Sequence, residues 1–135
     1  MSRDRALQKL KSLLYVNDKV QDLEFAVVWE SFEVGVSEYM GDGIELTEIE
    51  KGTNKDGCRY VSFIGKMPKG SVFPKNQHSD ASEGFMCLKG LIKETVSSVL
   101  MESGRMLNFR PRAHHGFKAL RASEFFCVLT ETTKK

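Results

Sequence analysis

No apolar run in this 135-residue chain approaches the roughly 18–20 residues that a membrane-crossing helix needs. The start, Met1-Ser2-Arg3-Asp4-Arg5, has no apolar stretch of the kind a secretory signal places after its basic residues. The expectation is a cytoplasmic protein with no membrane contact. Excess charge is also missing: 20 Lys and Arg against 18 Asp and Glu leave +2, which gives no support to a nucleic acid partner. Cysteine is sparse. Cys58, Cys87 and Cys127 are odd in number and far apart, which argues against a disulfide framework, and no Cys-x-x-Cys pair offers a zinc ribbon or a redox site. Their neighbours are mostly apolar or aromatic, which suits small buried hydrophobes. There is no glycine-rich phosphate loop followed by Lys and Ser or Thr, no Gly-x-Ser-x-Gly elbow and no dinucleotide fingerprint, so kinase, hydrolase and dehydrogenase readings lose their motifs. What remains is a chain of one-domain size, 41% hydrophobic.

From Arg3 to Tyr15, the residues Ala6, Leu7, Leu10, Leu13 and Leu14 recur at three- and four-residue steps. This predicts an amphipathic helix capped by Ser2 and stopped at Asn17-Asp18. So short a helix is marginal alone and should dock on the main body or on a second copy. Residues 18–43 resist assignment, because Val20, Leu23 and Val27 fit a helix whereas Phe32, Val34 and Val36 alternate like a strand. After Gly43, Ile44, Leu46 and Ile49, then Tyr60, Val61, Ser62, Phe63 and Ile64, read as two strands joined by a polar turn. Short strands follow with turn residues between them and no further helix. That spacing predicts an all-β fold, a barrel or sandwich behind an N-terminal helix. The division is 1–43 for the helix and connecting segment, 44–131 for the β domain, and 132–135 for a frayed tail.

The histidines invite a metal-site test. Asn76 and His78 share a face of any strand that carries both, and Glu83, Phe85 and Cys87 share a face of the next. A turn between those strands could set Glu83 opposite His78, giving a mixed nitrogen and oxygen site suited to zinc, iron, nickel or manganese. A third nitrogen could come from the turn Pro111-Arg112-Ala113-His114-His115-Gly116-Phe117, where extended backbone lets only one of the two histidines face inward.

Here the sequence resembles the cupins. Their first motif runs Gly, five residues, His, one residue, His, three or four residues, Glu, six residues, Gly, and it is matched in order by Gly70, Asn76, His78, Glu83 and Gly90. Pro111 to Phe117 is similar to a shortened second motif. The resemblance spans about residues 44–130 and is strongest toward small single-domain cupins, including the sensor domain attached to some anti-sigma factors. It implies an antiparallel double-sheet β-barrel of the jelly-roll type. It also implies a metal held by His78, Glu83 and His115. Two positions depart from the pattern: Asn76 stands where the family has its first histidine, and Ala113 where it has a glycine. Asn is a weaker ligand than imidazole, so the implied affinity for Fe, Zn, Mn or Ni is reduced, and Asn76 becomes a fourth ligand or a hydrogen-bonding group.

Around these residues, Phe73, Phe85, Met86, Phe109 and Phe117 either line a ligand cavity or are plain core. Cys87 shares the Glu83 face and could reach a ligand, as Asn76, Phe85 and Phe117 could. Arg105, Arg110, Arg112 and Arg121 either bind an anion at the barrel mouth or lie in solvent. The expected function is a small-molecule binding or sensing module with a weakly held divalent metal. The alternative is a metal-dependent dioxygenase or isomerase acting on a small organic acid or sugar derivative. The resemblance also implies a homodimer and leaves room for a regulatory protein partner.

Overall fold

A computed structural model describes residues 2–15 and 19–132. The helical stop expected at 17–18 and residues 133–135 of the tail lie outside the described residues. The first helix, α1 (Arg3–Leu14), forms as its periodicity predicts: Ser2 Oγ accepts from Arg5 N at 3.3 Å, and Ala6, Leu7, Leu10 and Leu14 are buried. Burial of each leucine contributes roughly 1.5–3 kcal/mol. The helix is therefore part of the core.

The segment that resisted assignment resolves into three short pieces. β1 (Gln21–Asp22) is followed by α2 (Phe25–Ser31) and β2 (Ser37–Gly41). The alternation of Phe32, Val34 and Val36 does not produce a strand: Phe32 caps α2 and is buried, while Val34 is 53% exposed. Side chains from elsewhere in the chain hold α2. Asp80 Oδ1 accepts from Phe25 N at its first turn. Arg59, paired with Glu131 through two hydrogen bonds of 3.0 and 2.9 Å, lies over the rings of Trp29 and Phe25.

The remaining strands are β3 (Ile44–Thr53), β4 (Arg59–Met67), β5 (Val72–Gln77), β6 (Ala81–Lys89), β7 (Ile92–Glu94), β8 (Leu100–Met101), β9 (Met106–Phe109), β10 (His115–Ala119) and β11 (Ser123–Glu131). They form two sheets, ordered β1-β5-β10-β7-β8 and β2-β3-β4-β11-β6-β9. This is the expected double-sheet jelly roll, with the sheets packed as a sandwich and not closed into one barrel. Each sheet draws an edge strand from before residue 44. The turn after β3 is held by Asn54, whose Oδ1 accepts from Asp56 N and Cys58 N. Within β3, Ile44, Leu46 and Glu48 alternate inward, so Glu48 is buried and Ile49 is 43% exposed, and a bulge follows between Glu48 and Glu50.

The sandwich interior is aromatic. Phe85 stacks on Phe117 at 3.8 Å and on Phe125 at 4.5 Å, one ring from each sheet meeting across the gap in the first pair. Gly65 makes room for this: a side-chain carbon there would fall about 2.0 Å from the Phe125 ring.

Candidate metal centre

Each sheet contributes to one polar cluster in this apolar interior. In the five-stranded sheet, Asn76 near the end of β5 pairs in register with His115 at the start of β10, and His78 follows one residue beyond β5. In the six-stranded sheet, β6 turns Ala81, Glu83, Phe85 and Cys87 to its buried face. The chain crosses from one sheet to the other between His78 and Ala81. That crossing sets Glu83 against both histidines, with His78 Nε2 at 3.0 Å and His115 Nε2 at 3.1 Å from the same oxygen, Glu83 Oε1.

The other nitrogen of each ring is also engaged. His78 Nδ1 lies 2.8 Å from the carbonyl oxygen of Leu23, and His115 Nδ1 lies 3.1 Å from that of Ala113. A carbonyl can only accept, so each Nδ1 carries a hydrogen and the lone pair of the neutral ring is on Nε2. Both lone pairs then converge on a carboxylate oxygen, which repels them unless a proton or a cation stands between. Potential ligand atoms of all three residues lie within 4.8 Å of one another. The donor set therefore fits a divalent metal: two nitrogens with fixed tautomers and a carboxylate, all buried.

The electrostatics agree. Burial drives the Glu83 carboxyl upward, but the charge and hydrogen bond of His115, together with those of His78, outweigh it and hold the group well below the usual carboxylate range. Burial drives His115 downward, and Glu83, more strongly than the Ala113 carbonyl and Glu94, carries it above the ordinary imidazole value. Phe109 stacks on His115 at 4.6 Å and restrains the ring.

Beside this cluster is a cavity of about 60 Å³, lined by Asn76, His78, Glu83, His115, Phe73, Phe85 and Phe117, and by Leu10 and Leu14 from α1. It has room for several waters or a ligand of a few heavy atoms. Asn76, Phe85 and Phe117 are thus placed on the wall. Cys87 is buried but is not among the lining residues; its thiol points to the Lys89 carbonyl, and burial raises it. Cys127 of β11 lines the cavity instead, its thiol pushed well up by burial and by the Glu83 charge. His114 is exposed, as are Arg105, Arg110, Arg112 and Arg121, so none of the four arginines reaches the cavity. Met86 and Phe109 do not line it either.

Three contributors were not legible from the sequence. The Leu23 carbonyl that orients His78 depends on β1 running parallel to β5, an arrangement stitched by Leu23 N to Gln77 O and by Ser79 N to Asp22 Oδ1. Glu94, 1% exposed, accepts from Val96 N, Ser97 N, Ser97 Oγ and Gly116 N. Its last partner sits beside His115, where β10 shifts register. Gly116 is required there because a side-chain carbon would fall 2.7 Å from Thr95 Oγ1 and 3.1 Å from the Lys75 backbone. One signal was available for Glu94: it shares the alternating face of Ile92, followed closely by Ser97. Glu94→Ala should cost about 3 kcal/mol by orphaning buried N–H groups, and should weaken metal binding about tenfold by releasing His115. Urea unfolding and metal titration check both effects, and Glu94→Gln should recover part of each.

No protein-family profile matches the sequence, and no curated protein matches it. Solved structures do match. An RmlC-like cupin from Shewanella frigidimarina superposes with a TM-score of 0.61 at 18% identity, over 76% of this chain and 91% of that one. The fold is that of a small cupin. A chain of the Rhodobacter sphaeroides SigE complex with the anti-sigma ChrR superposes on this chain with a TM-score of 0.55 at 16% identity, over 70% of this chain and 47% of that one. An acetylacetone dioxygenase from Acinetobacter johnsonii does so with a TM-score of 0.53 at 16% identity, over 65% and 60%.

Proposed function

We propose that this small cupin holds a divalent metal between His78, Glu83 and His115 and binds a small molecule in the adjoining cavity. One observation carries the reading: two buried imidazoles, each with Nδ1 engaged by a carbonyl, turn Nε2 onto a single Glu83 oxygen. A metal bound by these groups supplies a positive centre and open coordination positions that attract and polarise a ligand oxygen. The cavity size limits that ligand to a few heavy atoms. Iron, zinc, manganese and nickel all suit the donor set. A sensing role also calls for a contact surface toward a second copy or a regulatory protein. The exposed Leu100 and Met106, on the consecutive sheet-edge strands β8 and β9, offer one.

The enzymatic reading, a metal-dependent dioxygenase or isomerase, is favoured by the two-histidine, one-carboxylate composition, which is the set used by non-haem iron oxygenases. The likeness to a dioxygenase structure adds support of fold only. Oxygen uptake by the iron-loaded protein with a panel of short organic acids separates an oxygenase from a binding module.

The test begins with elemental analysis of the purified protein and continues with thermal melting in added Zn, Mn, Ni or Fe(II). Metal at 100 times its dissociation constant should add about 2.7 kcal/mol of stability. His78→Ala and His115→Ala should each remove the response. Metal-free protein with no melting shift in any of the four ions would overturn the proposal.

A further inference from the structure

On the wall of the cavity, Asn76 carries one polar atom to which the fold gives no partner. Asn76 is 1% exposed, and its Oδ1 is buried without a hydrogen-bond partner. The amide cannot be turned the other way. Its Nδ2 donates to the Pro74 carbonyl at 2.9 Å, and reversing it would press Oδ1 against that carbonyl oxygen, acceptor against acceptor. The acceptor is therefore the end left over. It sits on the residue paired in register with His115 and two positions before His78, on the wall of the same cavity. A buried carbonyl with no donor is a penalty to the fold, and that penalty is recovered when a ligand supplies the donor.

The charge of the wall narrows the ligand further. Among the described lining residues there is no Lys or Arg, and the one acid is Glu83. A divalent metal with one carboxylate and two neutral imidazoles leaves a net charge of about +1 to be met in a low-dielectric space, which suits one negative charge and not two. The apolar remainder, Phe73, Phe85 and Phe117, covers a hydrocarbon body.

Resting on the metal reading above, we infer that Asn76 is the specificity-determining residue of this cavity: its Oδ1 selects a short monoanion that carries a hydroxyl or N–H donor beside its metal-binding oxygen. Glycolate and acetate are suitable probes, because they share the carboxylate and differ by a hydroxyl. The zinc-loaded protein is titrated with each by calorimetry, after metal content is measured, in the wild type, Asn76→Leu and Asn76→Ala. The expected result is glycolate bound about tenfold more tightly than acetate by the wild type, with the ratio falling to about one in both variants while acetate affinity holds. Two variants are used so that a failure of one to fold, seen in its melting curve, leaves the other. Equal affinity for the two acids in the wild type overturns the inference. So does a preference that persists without Asn76, which would mark it as chelation of the metal by the hydroxyl. In both cases metal is bound and the metal reading stands. Absence of metal from the wild type overturns that reading and the inference together.

Discussion

Glu83→Ala is expected to abolish metal binding and to lower the stability of the metal-free protein by about 3–5 kcal/mol, the usual cost of removing one partner from a buried charged set. Glu83 Oε1 is the single oxygen that both Nε2 atoms face, so the substitution removes a ligand and the group that compensates two buried rings. It also leaves a space among the aromatic side chains, which adds to the loss. Glu83→Gln separates these contributions. The amide keeps the volume and one oxygen but not the charge, so it should retain the fold with a smaller penalty and bind metal at least tenfold more weakly. Urea unfolding of chelator-treated protein measures the first effect, and competition with a chromogenic chelator measures the second. An alanine variant that unfolds at the wild-type midpoint and still binds zinc would show that Glu83 is neither a ligand nor a compensating charge.

With metal and without it, the protein should respond to pH in opposite ways. His115 is raised in the folded state, so its contribution is complete below the unfolded imidazole value of about 6.5 and is lost as pH climbs through the higher folded value. Glu83 is depressed, so its contribution is complete above the unfolded carboxyl value of about 4.3 and is lost as pH falls through the lower folded value. From these two groups, the metal-free protein should be most stable between about pH 4.3 and 6.5. The loaded protein should behave otherwise, because a metal must displace the His115 Nε2 proton. Its affinity should fall about tenfold per pH unit below the His115 value. Melting at pH 5, 6, 7 and 8, with zinc and with chelator, should therefore give curves that diverge as pH rises. Parallel curves would rule out proton and metal competition at this site.

Much of this protein was readable before folding. The three- and four-residue steps of Leu7, Leu10 and Leu14 marked α1, and the alternation of Glu83, Phe85 and Cys87 marked one face of β6, because side-chain period follows backbone geometry. The His78 and Glu83 spacing suggested a shared site because a short turn between two strands brings such residues opposite each other. Residues 18–43 were harder. β1 has two residues and α2 has seven, each too short to show a period, and both are held by Asp22, Asp80 and Arg59 through contacts distant in sequence. The bulge in β3 after Glu48 was not legible, because it arises from pairing with β4. Cys87 and Cys127 both occupy inward positions on alternating strands, and only the packing of the sheets decides which of them borders the cavity.

By itself, the sequence determined the class of fold, the position of the first helix and the residues that could form a metal site, since each depends on periodicities and spacings of a few residues. The tertiary structure alone decided that Leu23 and Ala113 carbonyls fix the two tautomers, and that the Asn76 amide nitrogen is spent on Pro74 while its oxygen is left without a partner. The reason is physical: a hydrogen bond or a converging lone pair depends on ångström-scale placement between strands of two sheets. That placement follows from how the sandwich packs, which no local pattern encodes.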